Sequence, residues 1–152
     1  MYTPHVVTIV NAIEGDDYAM QYNTTVLHGV MLQASKRANV NKSGLVDADA
    51  VTLFIPFTVD AGGKTFYGPV EYAALADKSA AWTLKNGGDS SAVDCFFIKG
   101  EVVPGTDKDG KPLNGPSYSE ALDTYDDVYR VTSVDIRDYG SARMQHWQVG
   151  GK

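Results

Sequence analysis

Short runs of apolar and β-branched residues recur along the chain, separated by polar or glycine-rich stretches. Residues 5–13, 50–57 and 93–98 are strongly β-prone and too short to need a helix, so each run predicts a strand. Residues 18–22 alternate in polarity after a polar cluster at 14–17, which is typical of a hairpin with a glycine-containing loop. The chain is therefore expected to begin with a pair of antiparallel strands.

Two further regions also predict strands. Residues 26–40 would fit a helix or a strand, but Gly29 and its β-branched neighbours favour a bent or bulged strand that follows a bend at 23–25. Residues 128–138 and 144–149 are rich in β-branched and aromatic residues and flank a short turn. We expect the chain to close with a hairpin.

Two segments predict short helices. Residues 70–76 are good helix formers, and Pro69 suits the first turn. Ser117 and Glu120 have the spacing of a capping box and begin a helix expected to run to about residue 127.

This succession of elements predicts a mainly β protein, α+β in detail. We expect an antiparallel β-barrel or sandwich with one or two short helices, and closure into a barrel is favoured because it removes exposed sheet edges. Residues 103–117 hold three prolines and three glycines and predict a long projecting loop. A length of 152 residues fits a single domain over residues 1–152.

Composition and charge exclude several classes of protein. No apolar run approaches the roughly 18 residues that cross a bilayer, and the start of the chain lacks the features of a secretory signal. Cys95 is the only cysteine, which excludes an intrachain disulfide and a cysteine-rich zinc site and fits a reducing cytoplasm. Thirteen Lys and Arg against nineteen Asp and Glu give a net charge of -6, which opposes broad binding to nucleic acid.

No motif in the sequence predicts catalysis, a metal or a cofactor. Residues 62–65 are similar to the end of a phosphate-binding loop, but Thr58 stands where the first glycine is required, so we interpret them as a turn. Cys95 lies in an apolar run, where a buried and unreactive thiol is expected. The histidines lack the spacing of two ligands on one helix: His5, His28 and His146.

An acidic run lies in the second predicted helix, at Glu120, Asp123, Asp126 and Asp127. We interpret it as a solvated helix face, and a contact with a basic partner is the alternative.

Five segments form a pattern when they are read together: residues 5–11, 50–57, 77–84, 98–101 and 146–152. This pattern spans nearly the whole chain. It resembles the head-tail connector (neck) proteins of tailed phages and prophages, which are encoded between capsid and tail genes. Within that group the β-rich layout with a long loop is more similar to head-completion proteins, or stoppers, than to tail terminators.

The resemblance implies a structural protein of the virion, assembled in the bacterial host cytoplasm. Its expected partners are further copies of itself in a homo-oligomeric ring, the portal and adaptor proteins, and the tail tube or tail-terminator protein. Packaged DNA would pass through the ring without specific binding, and no membrane, cofactor or catalytic residue is expected.

Interface residues are expected in the loop at 87–92, in the arm at 104–116 and at both termini. The candidates are Gly87, Gly88, Asp89, Ser90, Ser91, Pro104, Asp107, Asp109, Gly110, Pro112, Pro116 and Trp147.

Three alternatives stay open. The chain could be a tail terminator or another tail component, or a carbohydrate-binding β module that uses Trp82, Trp147 and the nine tyrosines as stacking platforms. A small hydrolase is the weakest, because it needs the dispersed histidines and acids to converge in a cleft.

Overall fold

The computed structural model describes residues 3–14, 20–34, 51–76, 78, 80–86, 93–103, 108–109 and 115–152. Strands account for 50% of these residues and helices for 12%, which confirms the mainly β prediction. The projecting loop predicted at 103–117 lies mostly outside the described residues.

Within the described residues, eight strands and two short helices follow one another. The strands are β1 (His5–Glu14), β2 (Met20–Ala34), β3 (Val51–Pro56), β4 (Thr65–Phe66), β5 (Ala81–Trp82), β6 (Cys95–Lys99), β7 (Val128–Arg137) and β8 (His146–Gly151). The helices are α1 (Pro69–Ala74) and α2 (Tyr118–Thr124).

Six of the strands close into an antiparallel barrel in the order β1-β2-β3-β8-β7-β6, and β6 pairs back onto β1. The predicted closed barrel is therefore confirmed. β4 and β5 form a separate parallel pair in the connection between β3 and β6.

The predicted bulge in the second strand is confirmed, but the bend predicted before it is wrong. The pairing of β1 with β2 shifts register between His5 and Val6, and Gly29 opposite has a φ of 88°, which favours glycine. Residues 23–25 instead continue β2 and pair with residues 9–11. Two of these three residues are β-branched threonines, which suit a strand better than a turn.

The alternation of side chains along each strand divides the core into two apolar clusters. On the inner face, Val7 and Ile9 of β1 pack in one cluster with Phe97 of β6. On the outer face, Val10 and Phe96 pack in a second cluster that includes Ala121 of α2. The barrel interior is therefore filled with side chains, and α2 covers the outside of β1 and β6.

An aromatic group joins the β4–β5 pair to the inner-face cluster. The Phe66 ring centroid lies 5.0 Å from that of Trp82 and 4.5 Å from that of Trp147. The Phe57 ring contacts Trp147 from the other side, with centroids 4.6 Å apart. The connection between β3 and β6 is thereby folded onto the barrel.

Capping and proline residues determine where the two helices begin, and strand pairing determines where α2 ends. The Ser117 hydroxyl accepts a hydrogen bond from the Glu120 amide at 3.2 Å and donates one to its carboxylate at 3.1 Å, which confirms the capping box. α2 ends at Thr124, three residues earlier than predicted, because the Asp127 carbonyl accepts from the Lys99 amide at the start of the β6–β7 pairing. Pro69 is the first residue of α1, as predicted.

We predict that Gly151→Ala destabilises the barrel, because Gly151 lies where β8 approaches the inner-face cluster. An added Cβ would lie 2.8 Å from Phe97 Cζ and 3.0 Å from Val51 Cγ2. Such overpacking should lower the free energy of unfolding by about 1–3 kcal/mol, measured by urea denaturation.

A Phe97→Leu background provides the control, because it removes the ring atoms nearest to the added methyl group. In that background Gly151→Ala should lower the free energy of unfolding by measurably less than it does in the natural chain. The effects of the two changes would then be coupled and not additive. An equal cost in both backgrounds would show that the ring contact does not determine the need for glycine.

Candidate functional site

Most of the predicted interface residues lie outside the described part of the chain. The loop residues Gly87, Gly88, Asp89, Ser90 and Ser91 belong to this group, as do Pro104, Asp107, Gly110 and Pro112 of the arm.

The other three predicted interface residues have different surroundings. Asp109 lies in an exposed turn, and Pro116 is half-buried just before α2. Trp147 is only 8% exposed and packs in the aromatic group, so its ring is part of the core in this chain. The sequence places a tryptophan near the end of the chain, but only the pairing of β8 turns it inward.

Two paired asparagines hold the β4–α1–β5 segment against one end of the barrel. Asn11 continues the inner face of β1 and is the last residue of that strand to pair with β6. Its side chain donates to the Thr83 carbonyl at 3.0 Å and accepts from the Thr83 amide at 3.3 Å, as a neighbouring strand would do. Because these backbone groups are buried, this pairing compensates for their removal from water.

Asn23, opposite Asn11 in β2, completes this arrangement. Its amide donates to the carbonyls of Lys78 at 3.0 Å and Ala81 at 2.9 Å, and its oxygen accepts from the Lys64 amine at 3.0 Å. Sequence reasoning missed this role, although an asparagine within a β-prone run was the available signal. The residue interrupts the apolar pattern because it binds backbone groups of another segment.

A groove of about 490 Å³ lies between the end of β1, α1 and the residues that flank β5 and β6. Its charged lining consists of Lys78, Lys85 and Asp94, and Lys85 forms an ion pair with Asp94. Lys78 donates to the Leu75 carbonyl and lies 5.8 Å from the centre of the Tyr72 ring. In the described lining, Lys78 is therefore held by its neighbours, and Lys85 and Asp94 neutralise each other. These contacts suit a structural role more than catalysis.

Two buried oxygens beside the groove have no hydrogen-bond partner among the residues that the structure describes. They are Thr83 Oγ1 and Asp94 Oδ1, and both residues contribute to the lining. No described histidine lines the groove.

The three histidines lie on different strands and do not converge. His5 Nδ1 accepts from the Leu32 amide at 3.0 Å, and the His146 ring packs against Phe54. His28 pairs through its backbone with Asp60. Among the residues that the structure describes, no group of three or more His, Cys, Asp or Glu side chains could hold a metal ion.

Burial shifts the pKa of several groups near this end of the barrel. It raises the pKa of the Cys95 thiol from 9.0 to about 11, and the thiol accepts a hydrogen bond from Asn11 at 3.5 Å. It also raises the pKa of Tyr72 and lowers that of the Lys64 amine. A protonated, buried Cys95 is a poor nucleophile, as the sequence predicted.

Among the described residues, most exposed large apolar side chains lie on two separate surfaces, and Val70 of α1, which is 85% exposed, lies on neither. We call the first the α2 face: it combines the apolar residues Val103, Leu122 and Tyr125 with the acids Glu120, Asp123, Asp126 and Asp127. We call the second the hairpin tip: it joins β7 to β8 and combines Ile136, Tyr139 and Met144 with Arg137 and Arg143. Exposed apolar patches of this kind are typical of surfaces that bind other proteins.

The comparisons with known proteins give one match. The profile of a family described as a family of unknown function, DUF6751, matches residues 2–152. No curated protein matches the chain significantly, and no solved structure does so. Neither of the two described helices is long and apolar enough to cross a membrane.

We predict that Asn23→Ala loosens the β4–α1–β5 segment. The change removes the donor to two carbonyls and the acceptor for Lys64, so the free energy of unfolding should fall by about 1–3 kcal/mol. Hydrogen exchange should become faster at the Thr65 and Tyr67 amides, which bond to the residues around β5.

Asn86→Ala is the matched control, because Asn86 donates to the Thr132 carbonyl at an exposed site. It should change stability by no more than about 0.5 kcal/mol. If the two variants lose the same stability, Asn23 does not hold the segment.

We predict that Cys95 makes stability depend on pH in the alkaline range. The unfolded thiol loses its proton near pH 9, whereas the folded one keeps it until about pH 11, so the unfolded state binds fewer protons in between. The stabilising contribution is therefore complete below pH 9 and is lost as the pH rises through 11, by about 2–3 kcal/mol.

Comparison with Cys95→Ala isolates this effect, because the shifted tyrosines and Lys64 are present in both proteins. The difference in unfolding free energy between the two proteins should change by about 2–3 kcal/mol from pH 8.5 to 11.5. A difference that stays constant over this range would mean that the folded thiol titrates normally.

Proposed function

We propose that this chain, which belongs to the DUF6751 family, is a structural protein of the tailed-phage virion. It forms a homo-oligomeric ring in the neck, between the portal and adaptor proteins and the tail. There it closes the DNA-filled head and supports attachment of the tail. The specific location in the neck follows from the resemblance of five segments of the sequence to head-completion proteins.

The observation that carries an assembly role is the pair of exposed apolar surfaces at opposite ends of β7. α2 precedes this strand and the hairpin tip follows it. Leu122 on the α2 face and Ile136 on the hairpin tip are both more than half exposed. A subunit of a cyclic ring needs two different surfaces of this kind, one for each neighbour.

The filled barrel supports a ring in which DNA passes between subunits and not through one of them. Phe97, Leu53 and Leu27 are fully buried, and they belong to the cluster that fills the interior. A barrel of six strands has no room for a channel once such side chains occupy it. A passage for DNA therefore requires several copies arranged around an axis.

The charge balance agrees with a surface past which DNA can move. The chain carries a net charge of -6, so long-range electrostatic attraction to the phosphate backbone is weak or repulsive. Such a balance suits a protein that DNA must leave quickly during infection.

The carbohydrate-binding alternative loses its two tryptophans. Trp82 is 1% exposed and Trp147 is 8% exposed, so neither ring offers a stacking face to a sugar, and this alternative then depends on exposed tyrosines such as Tyr139. The hydrolase alternative needs histidines and acids that converge in a cleft, and the described residues show no such convergence.

We predict that deletion of the gene from its phage yields tails separated from heads that have lost their DNA. Electron microscopy of the particles, with quantification of packaged DNA, measures this, and a plasmid copy of the gene should restore joined particles. DNA-filled heads with abnormal tails would overturn the neck assignment in favour of a tail component. Normal infectious particles would overturn the structural role itself.

A further inference from the structure

We propose that the α2 face of one copy binds the hairpin tip of the next copy, and that this contact, repeated, builds the ring. The inference rests on the proposed function and deepens it by naming the two surfaces that meet.

The α2 face is apolar at its centre and acidic around it. Residues 117–127 include four acids and no lysine or arginine, which gives this segment a charge of -4. Leu122 and Val103 are more than half exposed, although each follows directly after a residue of the outer-face cluster, Ala121 and Val102 respectively. The face is therefore attached to the barrel core and presents apolar groups from a fixed position.

The hairpin tip combines apolar side chains with an arginine that can meet an acid. Ile136, Tyr139 and Met144 are all more than half exposed. Residues 135–145 contain two arginines and two acids and carry no net charge, and Arg137 is already paired with Asp135 at 4.0 Å. Arg143 is exposed and forms no hydrogen bond or ion pair with the described residues, which leaves its guanidinium available to an acidic partner.

The two surfaces cannot meet within one chain. β7 runs from Val128, next to the acidic segment, to Arg137 at the hairpin tip. Ten residues of strand extend on the order of 30 Å. β6 pairs with the first three residues of β7 and β8 with the rest, and the irregular register between Val131 and Ser133 bends the strand without reversing it, so its ends stay apart. A contact between the surfaces is therefore intermolecular.

A second copy of this chain is the occupant that the charges favour. One surface is apolar with an excess of acids, the other is apolar and exposes the guanidinium of Arg143, and every copy carries both. Contact between unlike surfaces repeats head to tail, and it closes into a ring when the rotation between copies allows it. Two α2 faces brought together would instead repel each other.

Cysteine cross-linking in phage particles tests this contact. A chain with both Leu122→Cys and Met144→Cys, treated with a mild oxidant, should give dimers, trimers and larger species on non-reducing gels. Cys95 is fully buried and provides no competing thiol in the folded chain. Each single variant should stay monomeric, because only unlike surfaces meet.

Three other results would contradict the contact. Dimers from either single variant would show that like surfaces meet. A ladder of equal intensity from the control pair Leu122→Cys with Glu71→Cys, where Glu71 lies on exposed α1, would show unspecific proximity. Absence of a ladder from the test pair in particles that do contain the protein would overturn the inference and leave the proposed function intact, whereas absence of the protein from particles would overturn the proposed function.

Charge reversal provides a second test that needs no disulfide geometry. Asp123→Arg and Arg143→Glu should each lower the yield of infectious particles about tenfold or more, because each places like charges at the contact. The two changes together should restore most of the yield, while Glu71→Arg should leave it unchanged. Failure of the double variant to exceed the single ones would show that these two residues do not face each other.

Discussion

The pairing of β1 along both of its edges is the constraint on which the rest of the structure depends. β1 pairs with β2 on one side and with β6 on the other, and the second pairing closes the sheet. Closure determines which side chains point inward, because a shift of one residue would exchange the two faces of every strand. The inner face then receives Val7 and Ile9, and the outer face receives Val10, which α2 covers.

One end of this closed barrel is covered by a segment that could not fold without it. β4 and β5 have two residues each, far too few for an independent sheet. Their backbone groups are held by Asn11 and Asn23, and Trp82 packs into the inner-face cluster. The polar side chains of the barrel strands and the aromatic ring of the connection therefore stabilise each other.

Because the barrel is closed and filled, its outer surface is where this protein can bind a partner. The inner-face cluster fills the barrel interior, and the pairing of β6 with β1 closes the sheet. The groove near Lys85 and Asp94 is polar but holds no described histidine. The exposed apolar groups on the α2 face and the hairpin tip are then the described features that most need a partner, which is why the proposed ring is built on them.

The sequence by itself determined the local elements of this protein. β-branched runs predict strands at 5–13 and 128–138, and the Ser117 capping box predicts the start of α2, because each signal acts within a few residues. The mainly β barrel followed from the number of such elements. Only the tertiary structure decided that Asn23 continues a strand, that Trp147 is buried and that two apolar surfaces lie at opposite ends of β7. These features depend on partners that are distant in sequence, such as the Ala81 carbonyl for Asn23 and the Phe66 ring for Trp147, and no local pattern encodes which distant groups will meet.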